Sequence, residues 1–134
     1  MTKSARQFDR AIADFEERVH LGVRVKKLLE KWQSILGVHV PEFRIKKMRA
    51  FGSLNVRDGR LWISQALATM SPADLEYVVV HEFVHLLIRD EKGSGHDDRF
   101  YALMDHYLPS WRRRHARLRS NEGMAARSLP GMSR

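Results

Sequence analysis

An α+β fold is predicted by changes of period along the chain. Apolar residues recur at helical spacing before Gly37, alternate with polar ones between Glu42 and Ser64, and return to helical spacing after Ser71. The 134 residues suit one domain with a single core. With 43% hydrophobic and 30% charged residues, the chain is too apolar to be disordered throughout.

The first helical region rests on Phe8, Ile12, Phe15 and Val19, then on Val25, Leu28, Leu29, Trp32, Ile35 and Leu36. Gly22 is expected to break or kink it, because glycine is costly in a helix interior, and Gly37 to stop it. Three strands follow, marked by Phe43 and Ile45, by Leu54 and Val56, and by Leu61 and Ile63. Asp58-Gly59 signals a two-residue hairpin, which would pair Val56 with Leu61 and Leu54 with Ile63.

Ser71-Pro72-Ala73-Asp74 has the chemistry of a helix start: a hydroxyl N-cap, a proline in the first turn and a carboxylate at the third position. The helix expected over 72–89 carries Leu75, Val78, Val79, Phe83, Val84, Leu86 and Leu87 nearly all round, which places it in the middle of the fold. After a loop over 91–95, Phe100, Leu103, Met104 and Tyr107 mark a further helix ending before Pro109. Trp32, Trp62 and Trp111 read as core or anchoring residues. Residues 1–119 are expected to form one domain, with 1–20 as an N-terminal helical extension and 120–134 as a flexible basic tail.

Without cysteine, disulfides and thiolate metal sites are excluded, so a metal must be held by histidine and carboxylate. No apolar leader follows Met1, and the longest apolar stretch, 78–88, is short and interrupted by ionisable groups. The expectation is a cytoplasmic protein with no membrane contact and an undetermined oligomeric state. The net charge of +8 is concentrated in 112–134, which holds seven arginines against the single acid Glu122. Any weak nucleic-acid contact is therefore expected through Arg112, Arg113, Arg114, Arg117 and Arg119.

The chemistry lies in His81-Glu82-Phe83-Val84-His85. On a helix, the i, i+4 spacing stacks both imidazoles on one face, where they can reach one ion. A catalytic zinc takes three protein ligands, keeps a fourth position for water and lowers that water's pKa toward about 7. Glu82 is placed to act as the general base for peptide-bond hydrolysis, and no nucleophilic side chain is needed. Seven histidines and eight glutamates in such a chain yield this pattern by accident only about 0.02 times. Three ionisable groups on an apolar helix would also cost several kcal/mol unless paired or metal-bound. The five-residue pattern supplies two ligands; the third is expected at His96, after a Gly-Ser-Gly turn, with Asp97 and Asp98 as rivals. Tyr101 and Arg99 are candidates for stabilising the oxyanion. His20, His39 and His115 read as surface residues, and His106 as surface or supporting.

The run from Tyr77 through His81-Glu82-Phe83-Val84-His85 to Leu86, then His96, Phe100, Ala102-Leu103 and Tyr107-Leu108-Pro109-Ser110-Trp111 with arginines after it, resembles the YgjP-like metallopeptidases. Phe51-Gly52-Ser53 and Ser71-Pro72 fit the same pattern, and the resemblance covers roughly residues 40–119. It implies zinc bound by His81, His85 and His96, with Glu82 as base, acting on a peptide or protein substrate. It also implies a small zincin-type α+β domain. A three- to four-stranded sheet would pack on the motif helix between N- and C-terminal helices, with an edge strand along the cleft to receive an extended peptide. The interval from His85 to His96 is longer than in that family, with 90–95 as an inserted loop. There, Gly95-His96 followed by Phe100 is more similar to the SprT-like zinc proteases, which act on proteins attached to DNA. A zinc-stabilised binding module without catalysis is the non-enzymatic alternative.

Overall fold

The computed structural model describes residues 2–88 and 97–124, and the side chains of 121–124 lie outside that description. The order of elements is helix, three strands, a short 3-10 helix and three helices.

Helix α1, Lys3–Leu36, runs for 34 residues. The Thr2 side chain caps its start, accepting from the Ala5 amide at 3.1 Å. Gly37, at φ 70°, closes its end and returns its N–H to the Gln33 carbonyl at 2.9 Å. Contrary to the expected break, α1 is one continuous helix through Gly22. Its second half buries Leu21, Val25, Leu29, Trp32 and Leu36, a spacing of three and four that keeps one face inward. The apolar row of the first half, Phe8, Ile12, Phe15 and Val19, lies exposed.

The strands β1 (Phe43–Lys46), β2 (Gly52–Leu54) and β3 (Leu61–Ser64) form a three-stranded mixed sheet in the order β1-β3-β2. β1 runs parallel to β3, with Phe43 opposite Leu61 and Ile45 opposite Ile63. β2 is antiparallel to β3, with Leu54 opposite Leu61 and Gly52 opposite Ile63. The hairpin register thus differs by two residues from the expected one. The connection is the longer loop 55–60, in which the Asn55 side chain accepts from the Arg57 amide, the Asp58 side chain accepts from the Arg60 amide, and Gly59 takes φ 80°. A shift of two leaves the faces unchanged: Leu61 and Ile63 still point into the core, while Val56 falls in the loop and is exposed. Trp62 is half-buried, with Lys46 Nζ 4.5 Å from its ring centre.

A 3-10 helix, Gln65–Thr69, packs against α1 and leads to α2, Pro72–Ile88. Ser71 caps α2 as expected, its hydroxyl accepting from the Asp74 amide at 3.1 Å. Twelve of the 17 residues of α2 are buried, and the helix touches α1, β2, α3 (Asp98–Tyr107) and α4 (Trp111–Met124). It is the centre of the molecule. Glu76 joins it to α1, with Oε2 accepting from Trp32 Nε1 and Lys31 Nζ, each at 2.8 Å. Arg117 joins it to α4, its guanidinium 2.9 Å from the buried Asp74 carboxylate. α4 continues beyond the expected boundary at residue 120, and the rest of the expected tail, 125–134, lies outside the described residues.

Among the described residues, no helix is long and apolar enough to cross a membrane.

Candidate active site

Helix α2 presents Tyr77, His81 and His85 in one row, four residues apart. His81 and Glu82 are 2% and 5% exposed, and His85 is half-buried. One ligand atom from each of His81, Glu82 and His85 can be chosen so that all lie within 4.8 Å of one another, the arrangement a single cation needs. Asp97 and Asp98 are not part of this group. The Asp97 carboxylate caps α3, accepting from the Phe100 amide at 3.0 Å, and Asp98 is exposed. His96 lies outside the described residues.

The two imidazoles stand 4.9 Å apart, ring centre to ring centre, at 77°. Phe100 of α3 packs on both, at 5.1 Å from His81 and 4.7 Å from His85. A fully buried apolar ring therefore backs the pair, restricting their rotamers and excluding water from that side. Burial holds the His85 pKa below the ordinary imidazole value; the Glu82 charge opposes this and His81 adds to it. A neutral imidazole keeps the lone pair that metal ligation requires.

Glu82 faces the sheet. Its Oε2 lies 3.2 Å from His81 Nδ1. A Cβ on Gly52 would stand 2.9 Å from Val78 Cγ1, 3.2 Å from Glu82 Cγ and 3.3 Å from Glu82 Oε2. No side chain fits there, so glycine is what lets β2 pass directly over the carboxylate. Asn55 N–H donates to the Arg60 carbonyl and Ser64 N–H to the Phe51 carbonyl, so odd-numbered residues of β2 pair inward with β3. By the alternation of an antiparallel ladder, Gly52 and Leu54 turn their backbone groups to the open side.

On the other side of the row, Tyr77 Oη lies 2.9 Å from His115 Nδ1 of α4. Burial, with the neighbouring Glu82 and Tyr101 charges, pushes the Tyr77 pKa far above the phenol range, so the hydroxyl keeps its proton in this contact. His115 is thus a half-buried partner of α2 and not the surface residue expected. His20, His39 and His106 are exposed. The basic segment is partly engaged within the fold: Arg112 lies 3.5 Å from Asp105, and Arg117 bonds Asp74 and Ser71. Of the residues proposed for the oxyanion, Arg99 is exposed in the first turn of α3, and Tyr101 stacks on Trp111 at 5.7 Å and 10°.

The structural roles of Gly52, Phe100 and His115 were not apparent from sequence position. Each acts across a tertiary contact; Gly52 and Phe100 stood in the family pattern without a role, and His115 did not.

The fold is similar to two solved structures. One is the metallopeptidase zymogen abylysin of Pyrococcus abyssi, at 20% identity and TM-score 0.64, covering 78% of this chain and 98% of that one. The other is the metallopeptidase zymogen jannalysin of Methanocaldococcus jannaschii, at 16% identity and TM-score 0.62, covering 72% and 88%. No curated protein matches the chain. The family model described as YgjP-like, metallopeptidase domain, matches residues 2–121, so the match takes in the whole of α1 and is not confined to 40–119. It spans the sheet and the helix that carries His81, Glu82 and His85, and the chain belongs to the YgjP-like metallopeptidase family: it is a peptidase, of a family that implies a divalent metal, typically zinc.

Proposed function

We propose that the chain hydrolyses peptide bonds with one zinc held by His81, His85 and His96 and with Glu82 as general base. The observation that carries this reading is the group formed by the buried His81 and Glu82 and the half-buried His85, with ligand atoms within 4.8 Å. The donor set suits zinc, which favours imidazole nitrogen and forms catalytic sites with three protein ligands. Zinc, when bound, polarises the scissile carbonyl and lowers the pKa of its water to about 7.

The chain's own residues supply the rest. Glu82, packed under the Gly52 backbone, takes a proton from the attacking water on a carboxylate oxygen and returns it to the leaving amine nitrogen. Phe100 keeps solvent from the rear of the imidazole pair. The outward backbone groups of Gly52 and Leu54 are the natural place for an extended substrate to add as a fourth strand, beside Glu82.

Glu82→Gln is expected to retain zinc at one equivalent while kcat falls by at least about a hundredfold. Metal analysis and peptide cleavage read both quantities, and undiminished cleavage would refute the assigned base. His96→Ala tests the third ligand: a fall in zinc affinity of at least about tenfold is expected. Unchanged affinity would remove His96 from the site.

A further inference from the structure

Six aromatic side chains form a closed circuit around the α2, α3 and α4 contact. Tyr77 meets His81 at 5.7 Å, and His81 meets Phe100 at 5.1 Å. Phe100 meets Tyr101 at 5.9 Å, and Tyr101 stacks on Trp111 at 5.7 Å. Trp111 meets His115 at 6.2 Å, and His115 returns to Tyr77 at 6.0 Å. One part of the circuit is the metal-site imidazole His81. The opposite part opens on a cavity of about 230 Å³ lined, among the described residues, by Tyr101, Trp111, Arg112 and His115.

Three properties of this cavity narrow its occupant. Its volume lies below the range of about 300–1,000 Å³ that whole small-molecule ligands occupy, so it suits a single side chain. Its walls are π systems, and the Arg112 guanidinium lies 4.5 Å from the Trp111 ring centre and 6.0 Å from that of Tyr101. Such walls favour a ring, which gains edge and face contacts that an aliphatic chain lacks. The wall is also held in place: Trp111 Nε1 donates to Asp105 at 2.8 Å, and His115 is tied to Tyr77. The charge of Arg112 is partly met by Asp105 at 3.5 Å, which disfavours an acidic guest.

We propose that this cavity receives an aromatic side chain of the peptide substrate, from a residue within about three positions of the scissile bond, and so sets the sequence preference of the enzyme. The distance follows from the circuit. His115 stands two ring-to-ring steps, 6.0 and 5.7 Å, from His81, and an extended peptide advances about 3.3–3.6 Å per residue. The proposal rests on the peptidase reading for the position of the cut, but not for the binding of the ring.

The first test is digestion of a mixed-sequence peptide library by the zinc-loaded full-length chain, with cut sites read by mass spectrometry. Phe, Tyr or Trp is expected at one fixed position within three residues of the cut, and replacing it by alanine in a cleaved peptide should lower kcat/KM by about tenfold or more. Tyr101→Ala and Arg112→Ala, neither at a buried position, should reduce that aromatic-over-alanine ratio several-fold. Enrichment of small or acidic residues instead, or a ratio unchanged in both variants, would overturn the proposal.

The second test needs no hydrolysis. N-acetyl-phenylalanine amide is titrated into the full-length Glu82→Gln chain while the Trp111 indole N–H resonance is followed, with N-acetyl-alanine amide as control. A shift with the phenylalanine amide alone is expected; no shift, or equal shifts with both probes, counts against an aromatic site. A library left uncut by the unsubstituted chain, together with this selective shift, would sink the peptidase reading and leave the aromatic site standing.

Discussion

Glu82 is held by what surrounds it more than by its own helix. Val78 is fully buried one turn away, and the β2 backbone lies across the carboxylate with no space for a Cβ. Gly52→Ala would force a methyl group to 2.9 Å from Val78 Cγ1, and a closely packed core has no room to yield. The expected destabilisation is about 1–3 kcal/mol, measured by denaturant unfolding, with a loss of cleavage larger than the unfolded fraction explains because Glu82 is displaced. Wild-type stability in this variant would show that the strand can back away. His81, Glu82 and His85 were legible in the sequence because their geometry is set within one helix, where spacing alone determines the face. Gly52 and His115 were not, because the reason for each lies on another element: the helix beneath β2 in one case, the Tyr77 hydroxyl in the other.

At the scale of elements, α1 shows how far local pattern carries. Its helical period, its Thr2 start and its Gly37 stop are local chemistry and could be read directly. Which stretch of its apolar residues is covered could not, since that depends on where the sheet and α2 lie. Phe8 and Phe15 are 67% and 59% exposed, so Phe8→Ser and Phe15→Ser should each change unfolding free energy by no more than about 0.5 kcal/mol. A larger loss would mean that this face is covered in solution.

Gly22 shows a second limit. A Cβ there would lie 3.6 Å from Ile45 Cδ1, an ordinary contact. Gly22→Ala should therefore stabilise the chain by about 0.5–1 kcal/mol through helix propensity, visible as a higher midpoint in urea. The join between α1 and α2 adds a pH dependence. Burial raises the pKa of Glu76, but hydrogen bonds from Lys31 and Trp32 outweigh it, and the net shift is downward from 4.5. A carboxylate with a depressed folded pKa contributes stability in full above its unfolded value and loses it as pH falls through the folded one. Glu76→Gln should accordingly flatten the stability profile below about pH 4.5; an acid limb identical to that of the unsubstituted chain would remove Glu76 as a contributor.

For the molecule as a whole, the candidate metal site and the core are the same object, because α2 carries both. The strand order β1-β3-β2 was beyond the reach of the sequence: the hairpin could be inferred from Asp58-Gly59, but the parallel pairing of β1 with β3 joins strands distant along the chain. That order leaves β2 at the edge, above Glu82, while the two imidazoles lie at the junction of α2 and α3. Three ionisable groups within 4.8 Å of one another on an otherwise apolar helix form a donor set that a cation would bind in the folded chain and not in the unfolded one. Metal binding should consequently stabilise the fold as well as enable cleavage. At a free zinc concentration of about a thousand times the dissociation constant, the linked stabilisation is about 4 kcal/mol. Chelation should lower the thermal midpoint by about ten degrees or more and abolish cleavage, and zinc should restore both. His81→Ala should unfold at the same temperature with and without chelator, since it lacks a proposed ligand and would no longer couple metal to the core. A midpoint indifferent to chelator in the unsubstituted chain would separate the metal from the fold.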